Sequence, residues 1–306
     1  MKRSYIYILI FTLLIIALSA TIYFGFNHLS NTTPAWQRGT DAHAQATTAP
    51  DATEAPTVDV IPITPFEPSK PLLRDEPGHQ PTVVLDAGHG FGDVGCAGPE
   101  TPLGVYEYQL TLDMVNTLKA ELEAAGIRVF TTHDGESFPS NAEIIDRCKE
   151  YGVAYDTSKK TWQDNAIFSP YERVIYMNTL DAQYGVDFAF SVHVNSNPDS
   201  TELNGFDLDY CAENDWSADS KVYAEALRDA LKAEYEGRNL WYYEDSWDDA
   251  FVVTKYNSMP SALLETGYYT NPGDCQLLKD EQWRDALMKN VAKTIIEVIE
   301  DEYEER

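Results

Sequence analysis

The sequence predicts an α/β fold: a single domain with a mostly parallel, twisted sheet flanked by helices, preceded by a transmembrane helix and a disordered stalk. Three observations predict it. From residue 81 onward, short apolar runs of strand length alternate with longer runs of helical periodicity, the rhythm of strands joined by crossover helices. Residues 5–26 are apolar apart from Thr12, Ser19 and Thr21, long enough to cross the roughly 30 Å hydrocarbon core. Between the two lies a tract rich in Thr, Pro, Ala and Asp without periodicity, where frequent prolines block a helix.

Met1, Lys2 and Arg3 form a basic cytoplasmic tip ahead of a signal anchor at 4–26. The apolar run exceeds the ~7–15 residues of a signal-peptide core, and Leu18-Ser19-Ala20 is a poor cleavage site. The basic tip stays inside and everything after Asn27 is exported, tethered to the membrane, or secreted if the segment is removed. Residues 27–80 are the linker; His28, His43 and His79 fall in or beside it and are not expected to bind metal.

The domain follows at 81–303. Thr82–Leu85 reads as a buried strand. Glu107–Ala125 carries Leu110, Met114, Leu118 and Leu122 at helical spacing and closes on Gly126. Ile127–Thr132 is strand-like, Tyr171–Gly185 helical, and Phe188–Val194 a strand. Gly205–Tyr210 alternates like a strand, and Ser217–Glu236 is an amphipathic helix. Ser261–Glu265 is the last buried strand, before a terminal helix at Glu281–Tyr303. Asp134–Ser169 breaks the rhythm and reads as an insertion with a weak helical patch at Ala142–Tyr151. Leu240–Ala250, aromatic and acidic without helical periodicity, reads as a loop at the edge of a binding site.

A net charge of −28 keeps such a chain soluble and argues against nucleic acid as a partner, since no basic stripe exists to neutralise phosphates. The four cysteines Cys96, Cys148, Cys211 and Cys275 form no CxxC pair, so a cysteine zinc site is not expected. Export permits disulfides in any of three full pairings; free buried thiols are the alternative.

Four apolar runs end in residues able to serve a metal ion. They are Val83-Val84-Leu85-Asp86-Ala87-Gly88-His89, Val105-Tyr106-Glu107, Phe188-Ala189-Phe190-Ser191-Val192-His193, and Ala262-Leu263-Leu264-Glu265. In an open parallel sheet, ligands gather outside the carboxyl ends of the strands, and His89, His193 and Glu265 each follow a buried strand. Glu107 opens a helix after a Gly-rich loop that returns to the same rim. Two imidazoles and a carboxylate suit a catalytic zinc with one open position, and a further glutamate is the usual general base beside it. Each residue also has a plain structural explanation: a turn histidine, a glutamate favoured at a helix start, a buried carboxylate needing a partner. Together they predict a metal-dependent hydrolase. Asn195 shares a strand face with His193 by the twofold period.

These segments resemble the zinc-dependent N-acetylmuramoyl-L-alanine amidases of the type-3 catalytic fold. The resemblance covers roughly Pro81 to Glu302. It is carried by Asp86-Ala87-Gly88-His89-Gly90, Glu107, Glu172-Arg173-Val174, Ser191-Val192-His193-Val194-Asn195, Gly205-Phe206-Asp207 and Leu264-Glu265-Thr266-Gly267-Tyr268-Tyr269-Thr270-Asn271. It implies an extracytoplasmic enzyme with peptidoglycan as substrate, hydrolysing the amide between N-acetylmuramic acid and L-alanine. It further implies one zinc ion (Zn2+) per domain on His89, Glu107 and His193, with Glu265 as the catalytic glutamate. Glu265 would take a proton from the attacking water and deliver it to the departing amine.

The departures concern Ala87, where proline is common, Cys96, where a small residue is usual, and Thr132-His133-Asp134 in place of a Thr-Arg start. Cys96 is a further potential ligand, and His133 is expected at the surface rather than on the metal. Some members close their zinc site with an inserted helix until an activator binds. The insert here, with Glu143, Asp146 and Glu150, therefore suggests self-inhibition and a protein activator as partner. Trp241, Tyr242, Tyr243, Trp247, Tyr268 and Tyr269 pack in the fold or stack on sugar faces. Two alternatives remain: another zinc-dependent peptidoglycan hydrolase, such as a carboxypeptidase or deacetylase, and a non-catalytic wall-binding regulatory module. A binder would not need Glu265 as a general base.

Overall fold

The strand Thr82–Ala87 (β1) is second in a six-stranded sheet, between Arg128–Thr131 (β2) at the edge and Phe188–Asn195 (β3), which is followed by Ser261–Tyr268 (β6), Phe206–Cys211 (β4) and Leu240–Asp245 (β5). The computed structural model describes residues 73–156, 168–234 and 238–305. The basic tip, the anchor at 4–26 and the stalk as far as residue 72 lie outside the described residues. Among the described residues, no helix is long and apolar enough to cross a membrane.

In chain order, β1 leads to the helix Glu107–Ala124 (α1), the strand Arg128–Thr131 (β2) and the helices Asn141–Tyr151 (α2) and Pro170–Tyr184 (α3). Then come the strands Phe188–Asn195 (β3) and Phe206–Cys211 (β4), the helix Ser217–Glu234 (α4) and the strand Leu240–Asp245 (β5). The short helix Val252–Lys255 (α5), the strand Ser261–Tyr268 (β6) and the helices Pro272–Lys279 (α6) and Glu281–Glu305 (α7) complete it. β1 pairs parallel with β2 and β3, and β3 parallel with β6. β4 runs antiparallel to β6 and parallel to β5, so the sheet, expected to be mostly parallel, is mixed, with one antiparallel pairing among its five. The connection at 196–205 contains no helix. A parallel return needs a crossover of a dozen or more residues; this shorter link turns back at the rim where β3 ends.

Each sheet face is covered by its own helices. Val83, Leu85, Phe190, Val192, Leu208 and Leu264 pack into one cluster with α1, α4 and α7. Val84, Ala189 and Leu263 face the other cluster, with α2 and α3. In α1 the spaced Leu110, Met114, Leu118 and Leu122 are all buried, so burial of one stripe secures the helix. α3 starts at a capping box in which Ser169 Oγ accepts from the Glu172 N–H and Glu172 Oε2 accepts from the Ser169 N–H.

The structure redraws three expected segments. The described part of Asp134–Ser169 belongs to the domain's flank: α2 buries Ile144 and Cys148, and Arg147 bonds Thr179 and Gln183 of α3. Leu240–Ala250 is not simply a loop. Its first six residues form the edge strand β5, with Leu240 and Tyr242 packed on the core while Trp241 and Tyr243 stay 37% and 40% exposed. The end of the expected stalk is also part of the domain, since Arg74 is only 5% exposed and lies 4.2 Å over the Trp216 ring. His79 likewise sits 3.1 Å from Asp187. All four cysteines are free thiols.

Candidate metal centre

The centre is built where β1 leaves the sheet. Gly88 still bonds to Val192, and a Cβ on it would stand 2.5 Å from His193 Cε1; only glycine lets the strand exit pass the imidazole. His89 and Phe91 then take left-handed backbone with φ of 67° and 52°, a conformation that non-glycine residues hold only under support from their surroundings.

Arg173 of α3 supplies that support. Its guanidinium donates to the Ala87 carbonyl at 2.6 Å, to the His89 carbonyl, and to Asp86 Oδ1 at 2.8 Å. Asp86 also accepts from Thr132 Oγ1 at 2.6 Å and Ser191 Oγ at 2.7 Å. Burial alone would raise the Asp86 carboxyl; the Arg173 charge and the two hydroxyls outweigh it and bring it down to about 2.

With its backbone fixed, the His89 ring places Nδ1 2.8 Å from Asp93 Oδ2 and Nε2 3.1 Å from Glu107 Oε1. Glu107 is fully buried at the first turn of α1. Its Oε2 accepts the Cys96 N–H at 2.7 Å and its Oε1 the Val194 N–H at 2.9 Å. A Cβ on Gly95 would fall 2.3 Å from Glu107 Oε2, so the loop can wrap this carboxylate only with glycine there. Burial opposes the ionised form of Glu107, but His89 and His193 prevail and hold its carboxyl well below the usual range. His193 Nδ1 closes the group, 3.4 Å from Glu107 Oε1.

The three donor atoms lie within 4.8 Å of one another, and no other group of His, Cys, Asp or Glu able to hold a metal ion is found among the described residues. Tetrahedral zinc with bonds of about 2.0–2.2 Å separates its ligand atoms by about 3.3–3.6 Å. The observed 3.1 and 3.4 Å are close to that, and two nitrogens plus one oxygen suit the ion. The residues fit the metal.

Glu265 is the register partner of His193 on the adjacent strand β6, so the two share a sheet face about 5 Å apart at the backbone. Its Oε2 is buried and accepts no hydrogen bond. Burial, and then the charges of Glu107, Asp207 and Asp209, push its carboxyl well above the usual glutamate range.

The remaining expected residues go elsewhere. Cys96 turns its thiol to the Val194 carbonyl at 3.1 Å and is not one of the three grouped residues; burial, then the neighbouring Glu107 carboxylate, pushes the thiol well above its usual range. His133 is neither at the surface nor on the metal: it is 4% exposed, with Nε2 2.9 Å from the Ala87 carbonyl and Nδ1 accepting the Gly135 N–H. These partners require neutral imidazole with the proton on Nε2, and burial followed by the Arg173 charge lowers its pKa accordingly. A register shift between His193 and Asn195 re-aims Asn195, whose Nδ2 donates to Asp207 Oδ2 at 2.7 Å. Glu143, Asp146 and Glu150 are exposed, and none of them belongs to the grouped trio. Sequence reasoning missed the supporting roles of Asp93 and Arg173. A carboxylate four residues after His89 was the available signal for the first.

The family profile of N-acetylmuramoyl-L-alanine amidase matches residues 83–297. The N-acetylmuramoyl-L-alanine amidase LytC of Bacillus subtilis (strain 168) is 27% identical over 208 residues, 67% of this chain and 32% of its own length. AmiC of Neisseria meningitidis serogroup B, with the same enzyme name, is 26% identical over 229 residues, 72% of this chain and 53% of its own. The chain therefore spans about a third to a half of these curated relatives. Among solved structures, the CwlD amidase of Clostridioides difficile in complex with the GerS lipoprotein aligns with a TM-score of 0.53 at 20% identity, covering 72% of this chain and 99% of that one. The catalytic domain of CwlV from Bacillus (Paenibacillus) polymyxa var. colistinus gives 0.53 at 22%, with the same coverage. At such identities the likeness is one of fold.

Proposed function

The chain belongs to the N-acetylmuramoyl-L-alanine amidase family, and from that premise we propose that it cleaves the amide between N-acetylmuramic acid and L-alanine in peptidoglycan. The observation that supports this most is the meeting of His89, Glu107 and His193 beside the unpaired carboxylate of Glu265. In this reading His89 Nε2, His193 Nδ1 and Glu107 Oε1 hold one zinc ion. Bound there, zinc lowers the pKa of a water toward ~7 and polarises the scissile carbonyl.

The protein supplies the proton traffic and the positioning. Glu265 accepts the proton that the attacking water gives up and returns it to the amide nitrogen, since an amine leaves only when protonated. A carboxyl with a raised pKa and one oxygen buried without a partner suits both halves of that task. Asp93 accepts a hydrogen bond from His89 Nδ1–H, which fixes the tautomer and leaves the Nε2 lone pair free for the metal. Arg173 fixes the carbonyls on either side of Gly88, which keeps both imidazoles in place.

We place the domain outside the cytoplasm, tethered through the apolar run 4–26 and the Pro-rich tract behind it.

Digestion of purified cell wall by the full chain, followed by mass spectrometry, tests the reading. Free stem peptides beginning at L-alanine should appear, vanish with chelator and return with added zinc. Loss of terminal D-alanine or release of acetate would instead select the carboxypeptidase or deacetylase. Wall binding without any product would select the regulatory module.

A further inference from the structure

On the far side of Glu265 from His193, the sheet carries acidic groups that the proposed reaction does not use. Asp207 on β4 is the register partner of Glu265, and Asp209 follows two residues on along the same face. They are 7% and 6% exposed. Asp207 Oδ2 is satisfied by Asn195 and by the Tyr268 hydroxyl, but Asp207 Oδ1 and Asp209 Oδ2 are buried and accept nothing. Among the described residues, neither aspartate forms an ion pair with Lys, Arg or His. Leaving two carboxylate oxygens buried without donors is costly, and a ligand that brings donors and positive charge removes that cost.

The neighbouring strand says what kind of ligand. Trp241 and Tyr243 of β5 are the register partners of Asp207 and Asp209, and both are exposed large aromatics on this face. Asp245 lies one step further, close enough for its charge to act on both Asp209 and Tyr243. Burial and the mutual repulsion of these carboxyls drive Asp209 well above the usual aspartate range, and burial takes Asp207 to about 6. Buried acids beside exposed aromatic faces are the arrangement that binds an organic cation.

A metal ion does not suit the place. Asp207 and Asp209 stand about 7 Å apart along the strand, and among the described residues they belong to no group of His, Cys, Asp or Glu that could hold a metal ion. An ammonium group is wider in reach, since its three N–H donors can address separate carboxylates while its charge faces a ring.

We propose that Asp207 and Asp209, walled by Trp241 and Tyr243, form a subsite for a primary ammonium group carried by the substrate. The inference rests on the amidase reading for its substrate class and deepens it. Two parts of peptidoglycan offer this chemistry: the side chain of a diamino acid in the stem peptide, and a glucosamine that has lost its acetyl group.

Calorimetric titration of the full, zinc-loaded chain tests it without requiring turnover. One arm compares L-Ala-γ-D-Glu-L-Lys with its Nε-acetyl form; the other compares a glucosamine disaccharide with its N-acetyl form. In one arm the free amine should bind roughly ten- to a hundredfold more tightly, as expected for a charge-assisted hydrogen bond to a buried carboxylate. Asp209→Asn, which keeps the side chain's shape, should bring that ratio close to one. Tyr243→Leu, at an exposed position, should lower it as well. Equal binding of amine and acetyl forms to the wild type in both arms overturns the proposal, as does a ratio unchanged in Asp209→Asn. A clear amine preference in a chain that releases no stem peptide from the wall would keep the subsite and sink the amidase reading. Stem-peptide release with no amine preference would do the reverse.

Discussion

Replacing Arg173 by methionine should show how much of the centre's geometry rests on one buried cation. Arg173 and Asp86 are 3% and 1% exposed, and the guanidinium also holds the carbonyls of Ala87 and His89. Removing one member of a buried, hydrogen-bonded pair costs about 3–5 kcal/mol, because the other charge stays buried alone. The carboxyl gives an independent figure. Its fall from 3.8 to about 2 corresponds to about 2 kcal/mol of folding stability. The folded pKa is the depressed one, so that contribution is present above pH ~4 and is lost as the pH falls toward 2. The mutational cost is larger because two carbonyls lose their donor as well. For a domain of this size it amounts to roughly 6–20 °C in Tm. Thermal unfolding of wild type, Arg173→Met, Asp86→Asn and the double variant measures it. The two single losses should exceed the double loss when summed, and Arg173→Met should lack the part of the acid destabilisation that Asp86 supplies. A cost under about 1 kcal/mol, or strict additivity, would refute the clamp.

Two further substitutions probe the shell around the proposed ligands. Asp93→Ala frees His89 Nδ1 and should weaken zinc affinity roughly 10–100-fold with little change in Tm of the metal-free protein, as read by competition with a chromogenic chelator. Gly88→Ala puts a methyl group 2.5 Å from the His193 ring; the ring must move, so metal affinity should fall by at least as much while the far-ultraviolet circular dichroism stays native.

Much of this was legible in the sequence for a specific reason. Apolar runs such as Phe188–Val192 and Ala262–Leu264 mark buried strands, and a polar residue at the end of such a run has the sheet rim as its natural place. His89, His193 and Glu265 therefore meet because strand ends meet. Glu107 is brought to them by backbone donors on Cys96 and Val194, which no residue type announces. The direction of β4 was hidden because six residues, Phe206–Cys211, carry no arrow; the absence of a crossover helix before it was the only hint. β5 was missed because four aromatic or apolar residues in a row, Leu240–Tyr243, conceal their alternation until one face is buried. His133 was misplaced for a related reason: its burial depends on Phe91, whose ring packs 5.3 Å away edge to face, and on the Ala87 carbonyl beneath it. Arg74 was assigned to the stalk by its Pro-rich surroundings, whereas its place is fixed by the distant Trp216.

The most direct test of the central claim is the zinc content of the purified full chain, determined by elemental analysis together with turnover for wild type, His193→Ala and Glu265→Gln. The account predicts one zinc per chain in wild type and in Glu265→Gln, with turnover in the latter lower by roughly 10²–10⁴-fold, and loss of nearly all zinc in His193→Ala. Full zinc occupancy without His193, or a Glu265→Gln enzyme working at the wild-type rate, would contradict it.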